Sequence, residues 1–303
     1  MGSILKIVPT CGWELPPTGG NHLKGGPPSL SQTTTRSTFS MPTASINNTK
    51  IEYTDTGIEH ASPVIFIHGF PFNHTMWKEQ TELLADTHRV ITYDVRGHGK
   101  SELGNGHVLI DFLVDDLFAF MEHLGIQAAN VVGLSMGGYI ALRGIERTPE
   151  RFLSLVLANT KSEADTNEAK TKRADAIRTI QNDGVETFAE NFLKTVFAPE
   201  SFDKHPQDIR KVRKMIEQTS PQSLCSTLIA LAARTDTTES LGKINVPALI
   251  LVGEHDQLTP PAAAQSMANR IRDSHIHIIP DAAHMSNLEN PEEFNTQLRD
   301  FFE

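Results

Sequence analysis

Cysteine is scarce in this sequence of 303 residues, which contains only Cys11 and Cys225. Cys11 lies in an irregular stretch near the N-terminus, and Cys225 lies in a segment with a helical pattern. Two isolated thiols exclude a disulfide-stapled scaffold and a zinc cluster built on cysteines. We therefore expect both to be free thiols, which fits a reducing compartment, and we predict a cytoplasmic location.

Long apolar runs and an excess of positive charge are also missing. No apolar stretch approaches the roughly 18 residues that a membrane span needs. The chain has 27 Lys and Arg residues against 37 Asp and Glu, a formal net charge of -10. This balance disfavours nonspecific nucleic-acid binding and supplies no polybasic patch for a membrane surface. We expect a small molecule as the partner, with no nucleic acid and no membrane, and the sequence does not indicate an oligomeric state.

Residues 1–40 differ in composition from the rest of the chain. They are rich in Gly, Pro, Ser and Thr and show no sustained hydrophobic period, which predicts a flexible N-terminal extension. A targeting peptide is the alternative, because Glu14 is the only acidic residue, although three basic residues are few for that role. The folded part is expected to begin near Met41.

Beyond Met41, short strand-like runs alternate with helical patterns. Strands separated by helices of ten or more residues pair in parallel through right-handed crossovers, so the sequence predicts an α/β fold with a mostly parallel central sheet flanked by helices. The predicted strands are 49–53, 64–67, 89–93, 131–134, 153–157, 247–252 and 275–279.

Residues 161–242 interrupt this alternation with helical, highly charged sequence and no convincing strand. An all-helical insertion between two strands is best explained as a cap laid over the carboxyl edge of the sheet. We therefore predict a helical cap at 161–242 and an α/β core made of 41–160 and 243–303.

Ser135 stands at the end of an apolar run, in the pentapeptide Gly133-Leu134-Ser135-Met136-Gly137, and a helical pattern follows it. A strand that turns sharply into a helix crowds its neighbours, so the residues two before and two after the serine must lack a Cβ. This pattern is a nucleophile elbow, in which a strained turn presents the serine Oγ to solvent.

A serine hydroxyl needs a base within hydrogen-bond reach, and that base is oriented by a carboxylate. Asp256 follows the predicted strand 247–252, and His284 follows the predicted strand 275–279. In a parallel sheet these loops open on one edge, where ligand sites form. The predicted catalytic set is Ser135, Asp256 and His284, and no carboxylate competes for the acid role at the end of strand 153–157.

Five motifs occur in a fixed order, and together they resemble an α/β-hydrolase-fold protein from about residue 46 to residue 302. The motifs are His68-Gly69-Phe70-Pro71, the octapeptide at 94–101, the elbow, Gly253-Glu254-His255-Asp256, and Ala283-His284. The resemblance implies the α/β-hydrolase fold and an oxyanion hole built from the backbone N–H groups of Phe70 and Met136. His68 is expected to brace the oxyanion loop through hydrogen bonds.

A serine at the elbow fits acyl transfer, whereas relatives that form alkyl-enzyme esters use aspartate there. The chain resembles serine carboxylesterases and 3-oxoadipate enol-lactonase-like hydrolases, which implies cleavage of small to medium esters or lactones through an acyl-enzyme on Ser135. Cofactor-free perhydrolases or haloperoxidases, and small-molecule receptors of the same fold, remain alternatives. No metal and no cofactor is expected. The predicted substrate pocket is lined by Phe72, Trp77, Phe192, Phe197 and Met285, beside Phe70 and Met136.

Overall fold

The structure is a computed structural model that describes residues 41–303. The predicted extension at 1–40 and Cys11 lie outside the described residues, and Cys225 is a free thiol. Eight strands form one sheet in the order β1-β2-β4-β3-β5-β6-β7-β8. The strands are β1 (Thr43–Ile46), β2 (Thr49–Gly57), β3 (Pro63–Ile67), β4 (Arg89–Tyr93), β5 (Ala129–Leu134), β6 (Phe152–Ala158), β7 (Ala248–Gly253) and β8 (Ser274–Ile279).

The sheet is parallel from β4 to β8, and only the pairings β1–β2 and β2–β4 are antiparallel. The prediction of a mostly parallel sheet is therefore confirmed. Every residue of β5 and β7 is buried, as expected of apolar strands covered on both faces. The register aligns Ile67 with Gly133 and Leu134 with Ala158, so the carboxyl ends of these strands meet at one edge.

Helices flank this sheet. The α-helices are α1 (Lys78–Leu84), α2 (Ile110–His123), α3 (Met136–Arg147), α4 (Asn167–Asn182), α5 (Val185–Val196), α6 (Ser201–Lys204), α7 (Pro206–Glu217), α8 (Pro221–Ala232), α9 (Pro261–Ala268), α10 (Ser286–Glu289) and α11 (Pro291–Phe302). Among residues 41–303, no helix combines the length and the apolar composition that crossing a membrane would take.

The apolar stripe of α2 shows why the sequence folds locally as it does. Leu113, Leu117 and Phe120 recur at three- and four-residue steps, and all three are buried in the core. Gly125 follows the helix with φ 69°, the left-handed conformation that suits glycine at a helix end.

Between β6 and β7 the chain forms α4 to α8 and, in the described residues of that segment, no strand. Helix α4 packs against α8 and α5, and α5 packs against α7. Aromatic rings join this helical segment to the core, since Phe70 lies 6.0 Å from Phe192 and 6.3 Å from Phe188 between ring centroids. The helical segment therefore contacts the loop that follows β3.

Candidate active site

Ser135 lies at the junction of β5 and α3 with φ 54° and ψ -112°, a strained conformation for a residue other than glycine. Its backbone is held on both sides by the end of β6. The N–H of Ser135 donates to the Ala158 carbonyl at 2.9 Å, and the Thr160 hydroxyl donates to the Ser135 carbonyl at 2.8 Å. Neighbouring backbone thus fixes the turn while the side chain stays partly accessible.

The two glycines of the elbow are required by close backbone contacts. A Cβ on Gly137 would lie 2.1 Å from the Ile67 carbonyl oxygen, and a Cβ on Gly133 would lie 2.4 Å from the Gly137 carbonyl oxygen. Neither backbone oxygen can rotate away as a flexible side chain could. The predicted reason for these glycines is therefore correct.

Asp256 and His284 lie together in the loops that follow β7 and β8. The Nδ1 of His284 is 2.8 Å from the Asp256 Oδ2, and both side chains are almost completely buried. Because the carboxylate accepts this bond, Nδ1 carries the proton and Nε2 is left with its lone pair. The imidazole borders the same cavity as Ser135.

Asp256 accepts further hydrogen bonds that the sequence did not indicate. Asn159 Nδ2 donates to Oδ2 at 2.9 Å, the Thr259 hydroxyl donates to Oδ2 at 2.7 Å, and backbone N–H groups of Leu258 and Thr259 donate to Oδ1. Burial opposes ionisation of this carboxyl, but His284 and the hydrogen bonds outweigh it and lower its pKa from 3.8 to about 2. Asp256 is therefore charged at neutral pH.

Asn159 extends this network beyond Asp256. It is fully buried, donates to the Ala283 carbonyl at 3.0 Å and accepts from the Ser286 hydroxyl. It thus holds the acid and the histidine loop at a fixed separation. In the sequence, the one signal for this role is its place just after the predicted strand 153–157.

The loop after β3 brings Phe70 to the same edge. The N–H of Phe72 donates to the Gly69 carbonyl at 2.9 Å, which closes a tight turn. Within the described residues, the backbone N–H groups of Phe70 and Met136 donate to no other protein group. Both residues border the cavity.

His68 supports that loop from below. Its Nδ1 lies 2.9 Å from the Gly69 carbonyl oxygen, and its Nε2 accepts from the Val95 N–H at 2.9 Å. Burial and the neighbouring His98 lower the pKa of His68 to about 3, so the ring is neutral. The structure therefore gives His68 the hydrogen bonds expected of a bracing residue.

A cavity of about 410 Å³ opens above Ser135. Of the predicted pocket residues, Phe70, Met136 and Phe192 border it. Its remaining apolar wall consists of Tyr139, Ala169, Ala176, Phe188, Leu228, Leu231 and Leu258, and its charged wall consists of Lys161, Asp165, Glu168, Lys172 and Arg173.

Four predicted pocket residues do not border this cavity. Phe72, Trp77, Phe197 and Met285 are at most 3 % exposed and pack into the core instead. The Trp77 ring, for example, lies 5.0 Å from the Phe66 ring of β3 between centroids. The pocket prediction is wrong for these four residues, because an apolar side chain has the same sequence pattern in a core as in a cavity wall.

Comparisons with known proteins agree with this fold. A family model described as the alpha/beta hydrolase fold matches residues 62–291. The chain belongs to the α/β-hydrolase family.

Three α/β-hydrolase relatives illustrate the range of similarity. The 3-oxoadipate enol-lactonase 2 of Acinetobacter baylyi is 30% identical over 253 residues, which is 84% of this chain and 93% of that protein. A thermophilic esterase from Thermogutta terrifontis has a TM-score of 0.82 at 32% identity and covers 87% of this chain and 98% of its own. A non-heme haloperoxidase of Rhodococcus erythropolis is 28% identical over 85% of this chain and 97% of that protein.

Proposed function

We propose that this α/β hydrolase is a serine hydrolase that cleaves small to medium carboxylic esters or lactones through an acyl-enzyme on Ser135. The observation that carries the proposal is the hydrogen-bonded pair of Asp256 and His284 at the cavity that Ser135 also borders. The similarity to an enol-lactonase and to an esterase supports the same reaction type. A reducing cytoplasm is the location that we propose with it.

The reaction begins when His284 Nε2 takes the proton of the Ser135 hydroxyl as Oγ attacks the substrate carbonyl carbon. The imidazolium that forms is stabilised by the ionised Asp256. The developing oxyanion accepts hydrogen bonds from the N–H groups of Phe70 and Met136, and each such donor contributes about 3 kcal/mol in comparable sites.

Breakdown of the tetrahedral intermediate expels the alcohol, or opens the lactone, as His284 returns the proton to the leaving alkoxide. A water molecule then attacks the acyl carbonyl while His284 removes its proton. The second tetrahedral intermediate collapses by breaking the bond to Ser135 Oγ, to which His284 returns that proton, and the carboxylic acid product leaves. The hydrogen bond at Nδ1 keeps the imidazole in the tautomer that both steps need.

Hydrolysis of p-nitrophenyl acetate and butyrate, and of a set of simple lactones, tests the proposal. We expect Ser135→Ala to lower kcat/KM at least about a thousandfold. Ser45→Ala, on the exposed face of β1, is the matched control and should leave kcat/KM unchanged.

A fluorophosphonate probe adds a readout that does not depend on the choice of ester. Mass spectrometry should find the probe on Ser135 in the wild type and no label in Ser135→Ala. Hydrolysis that survives Ser135→Ala, or labelling at another serine, would refute the nucleophile assignment.

The similarity to a haloperoxidase favours one alternative, in which hydrogen peroxide replaces water as the attacking group. Peracid formation from acetate and hydrogen peroxide, exceeding ester hydrolysis in rate, would identify that activity. A receptor of this fold would instead give one slow turnover and a stable adduct.

A further inference from the structure

Tyr139 presents a hydroxyl group at the active-site cavity that the proposed reaction does not use. It lies on α3, one helical turn after Ser135, and its backbone N–H donates to the Ser135 carbonyl at 3.1 Å. The residue is 7 % exposed and borders the cavity. Among residues 41–303, no protein group forms a hydrogen bond with the hydroxyl, yet its oxygen keeps a solvent-accessible surface. The hydroxyl is therefore open to a ligand.

The charged groups around the hydroxyl place it on the cavity side of the ring. Those that act on it are Arg234, Arg173, Asp165 and Asp256. Arg173 and Asp165 belong to the charged wall of the cavity, and Asp256 is the proposed catalytic acid. Tyr139 also borders a space of about 10 Å³, which is too small for more than one water molecule. A substrate group that meets the hydroxyl therefore reaches it from the active-site cavity.

Arg234 holds the Tyr139 ring in place. Its guanidinium carbon lies 4.1 Å from the ring centroid, which is a cation–π contact. The guanidinium is fixed in turn by hydrogen bonds to Asp165, to the Glu163 carbonyl at 2.7 Å and to the Leu231 carbonyl at 3.1 Å. The hydroxyl is therefore presented at a fixed position, which lowers the entropy cost of binding to it.

Both carboxylates near the hydroxyl are already engaged by other donors. Asp165 accepts hydrogen bonds from two arginines, and Asp256 accepts from His284 and from four further donors. Burial raises the pKa of Tyr139, so the hydroxyl keeps its proton at neutral pH. A neutral donor without an acceptor among the described residues thus remains in the cavity wall, and it forms its hydrogen bond with whatever fills the cavity.

We propose that Tyr139 donates a hydrogen bond to a neutral oxygen of the substrate, so that the cavity favours esters or lactones with an acceptor such as a ketone a few bonds from the carbonyl that Ser135 attacks. The inference rests on the proposed function and specifies its substrate class. Because α3 rises about 1.5 Å per residue, the two backbones lie about 6 Å apart along the helix, and a chain of a few atoms spans that separation. The apolar residues Phe188, Leu228 and Leu231 of the same cavity suit the carbon atoms of such a chain.

The test compares esters of one chain length that differ by a single oxygen. Ethyl 4-oxohexanoate and ethyl 5-oxohexanoate carry a ketone on the acyl side, and ethyl hexanoate is their matched control. On the alcohol side, 4-oxopentyl acetate is compared with pentyl acetate. The measured quantity is the ratio of kcat/KM for a keto ester to kcat/KM for its control.

Tyr139→Phe removes only the hydroxyl oxygen. We expect this ratio to fall about threefold to tenfold for at least one keto ester, mainly through a higher KM, because a neutral hydrogen bond is lost. The affected ester identifies the position of the oxygen. Since the hydroxyl has no protein partner among the described residues, thermal unfolding followed by circular dichroism should give the wild-type Tm.

Tyr53→Phe is the matched control, because it makes the same change in β2, at a residue that does not border the cavity. It should keep the wild-type ratio for every keto ester. A ratio that is equal in the wild type and Tyr139→Phe for all three keto esters would overturn the inference and leave the proposed function standing. The same holds for a ratio that falls equally in Tyr53→Phe.

If no ester is hydrolysed, or if hydrolysis survives Ser135→Ala, the proposed function fails instead. Binding of the same esters to Ser135→Ala, with and without Tyr139→Phe, then decides the inference by ligand-observed NMR. Tighter binding of a keto ester than of its control, lost in Tyr139→Phe, would support the inference. Equal effects of Tyr139→Phe on the keto esters and their controls would refute it.

Discussion

Replacing Glu289 with glutamine tests how the loop that carries His284 is held in place. Glu289 ends α10 and is 4 % exposed. Its Oε2 accepts from the backbone N–H groups of Ala283 and Met285, at 2.8 and 3.2 Å, on either side of the histidine. Its Oε1 accepts from the Ala198 N–H at 2.8 Å and the Ser201 hydroxyl at 2.7 Å, in the helical segment over the site.

The expected loss follows from this arrangement. A glutamine has one side-chain oxygen, which can accept from only one of the two pairs of donors around Glu289. Its NH₂ group is itself a donor and therefore cannot accept from the second pair. Two hydrogen bonds to a charged group are lost, each worth about 1.5–3 kcal/mol, so we expect a loss of at least about 3 kcal/mol in the free energy of unfolding. For a domain of this size that corresponds to a fall of about 6–12 °C in Tm.

Activity should fall as well, because the loop between Ala283 and Met285 sets the position of the imidazole. We expect kcat for p-nitrophenyl butyrate to drop about tenfold to a hundredfold, since small misplacements of a catalytic group are costly, while KM changes little. Thermal unfolding followed by circular dichroism and steady-state kinetics on the same preparation measure both effects.

Two variants control for unrelated effects. Ser201→Ala removes one of the four donors and should lower Tm by a few degrees, with a smaller effect on kcat. Glu292→Gln makes the same chemical change at an exposed position of α11 and should leave both quantities unchanged. A Glu289→Gln protein whose Tm and kcat match those of Glu292→Gln would refute the argument.

Two further predictions follow from the elbow and from the buried acid. Gly137→Ala would place a Cβ 2.1 Å from the Ile67 carbonyl oxygen, so we expect it to destabilise the protein by about 3 kcal/mol or to prevent folding. Gly242→Ala is the control, because its Cβ would lie 3.9 Å from the nearest neighbouring atom. In urea unfolding, this control should change the stability by less than about 1 kcal/mol. Because the pKa of Asp256 is lowered to about 2 in the folded state, its charge stabilises the fold fully above about pH 4 and ceases to do so as the pH falls through 2. Between pH 4 and pH 2 the free energy of unfolding should therefore fall by about 2 kcal/mol less in Asp256→Asn than in the wild type. An equal fall in the two proteins would contradict the assigned pKa.

Local pattern was enough to place the three proposed catalytic residues at strand ends. Ser135 was indicated by glycines that a sharp turn requires, and Asp256 and His284 by their positions just after apolar strands. The loops that follow parallel strands lie at one edge of the sheet whatever the details of packing. The position of a residue just after a strand was therefore enough to predict that these three residues lie at the same edge. The Asn290 cap is a comparable local signal for helix α11, whereas the four-residue β1 gives too short a pattern to predict.

Contacts between residues far apart in the chain could not be predicted in this way. Asn159 contacts Asp256 across 97 positions, and Glu289 contacts Ala198 across 91. Neither Asn159 nor Glu289 is unusual for its local sequence, and only the folded structure shows which polar groups surround each of them. The same holds for Trp77, whose apolar character is identical in a core and in a pocket wall.

The sequence by itself determined the α/β fold and the serine, acid and histidine of the proposed reaction, because hydrophobic period and backbone crowding act over a few residues. Tertiary structure alone decided which aromatic side chains border the cavity and which buried groups orient Asp256 and hold the loop of His284. Those features depend on the packing of segments from several strands and helices, since burial and the balance of neighbouring charges arise only when distant parts of the chain meet.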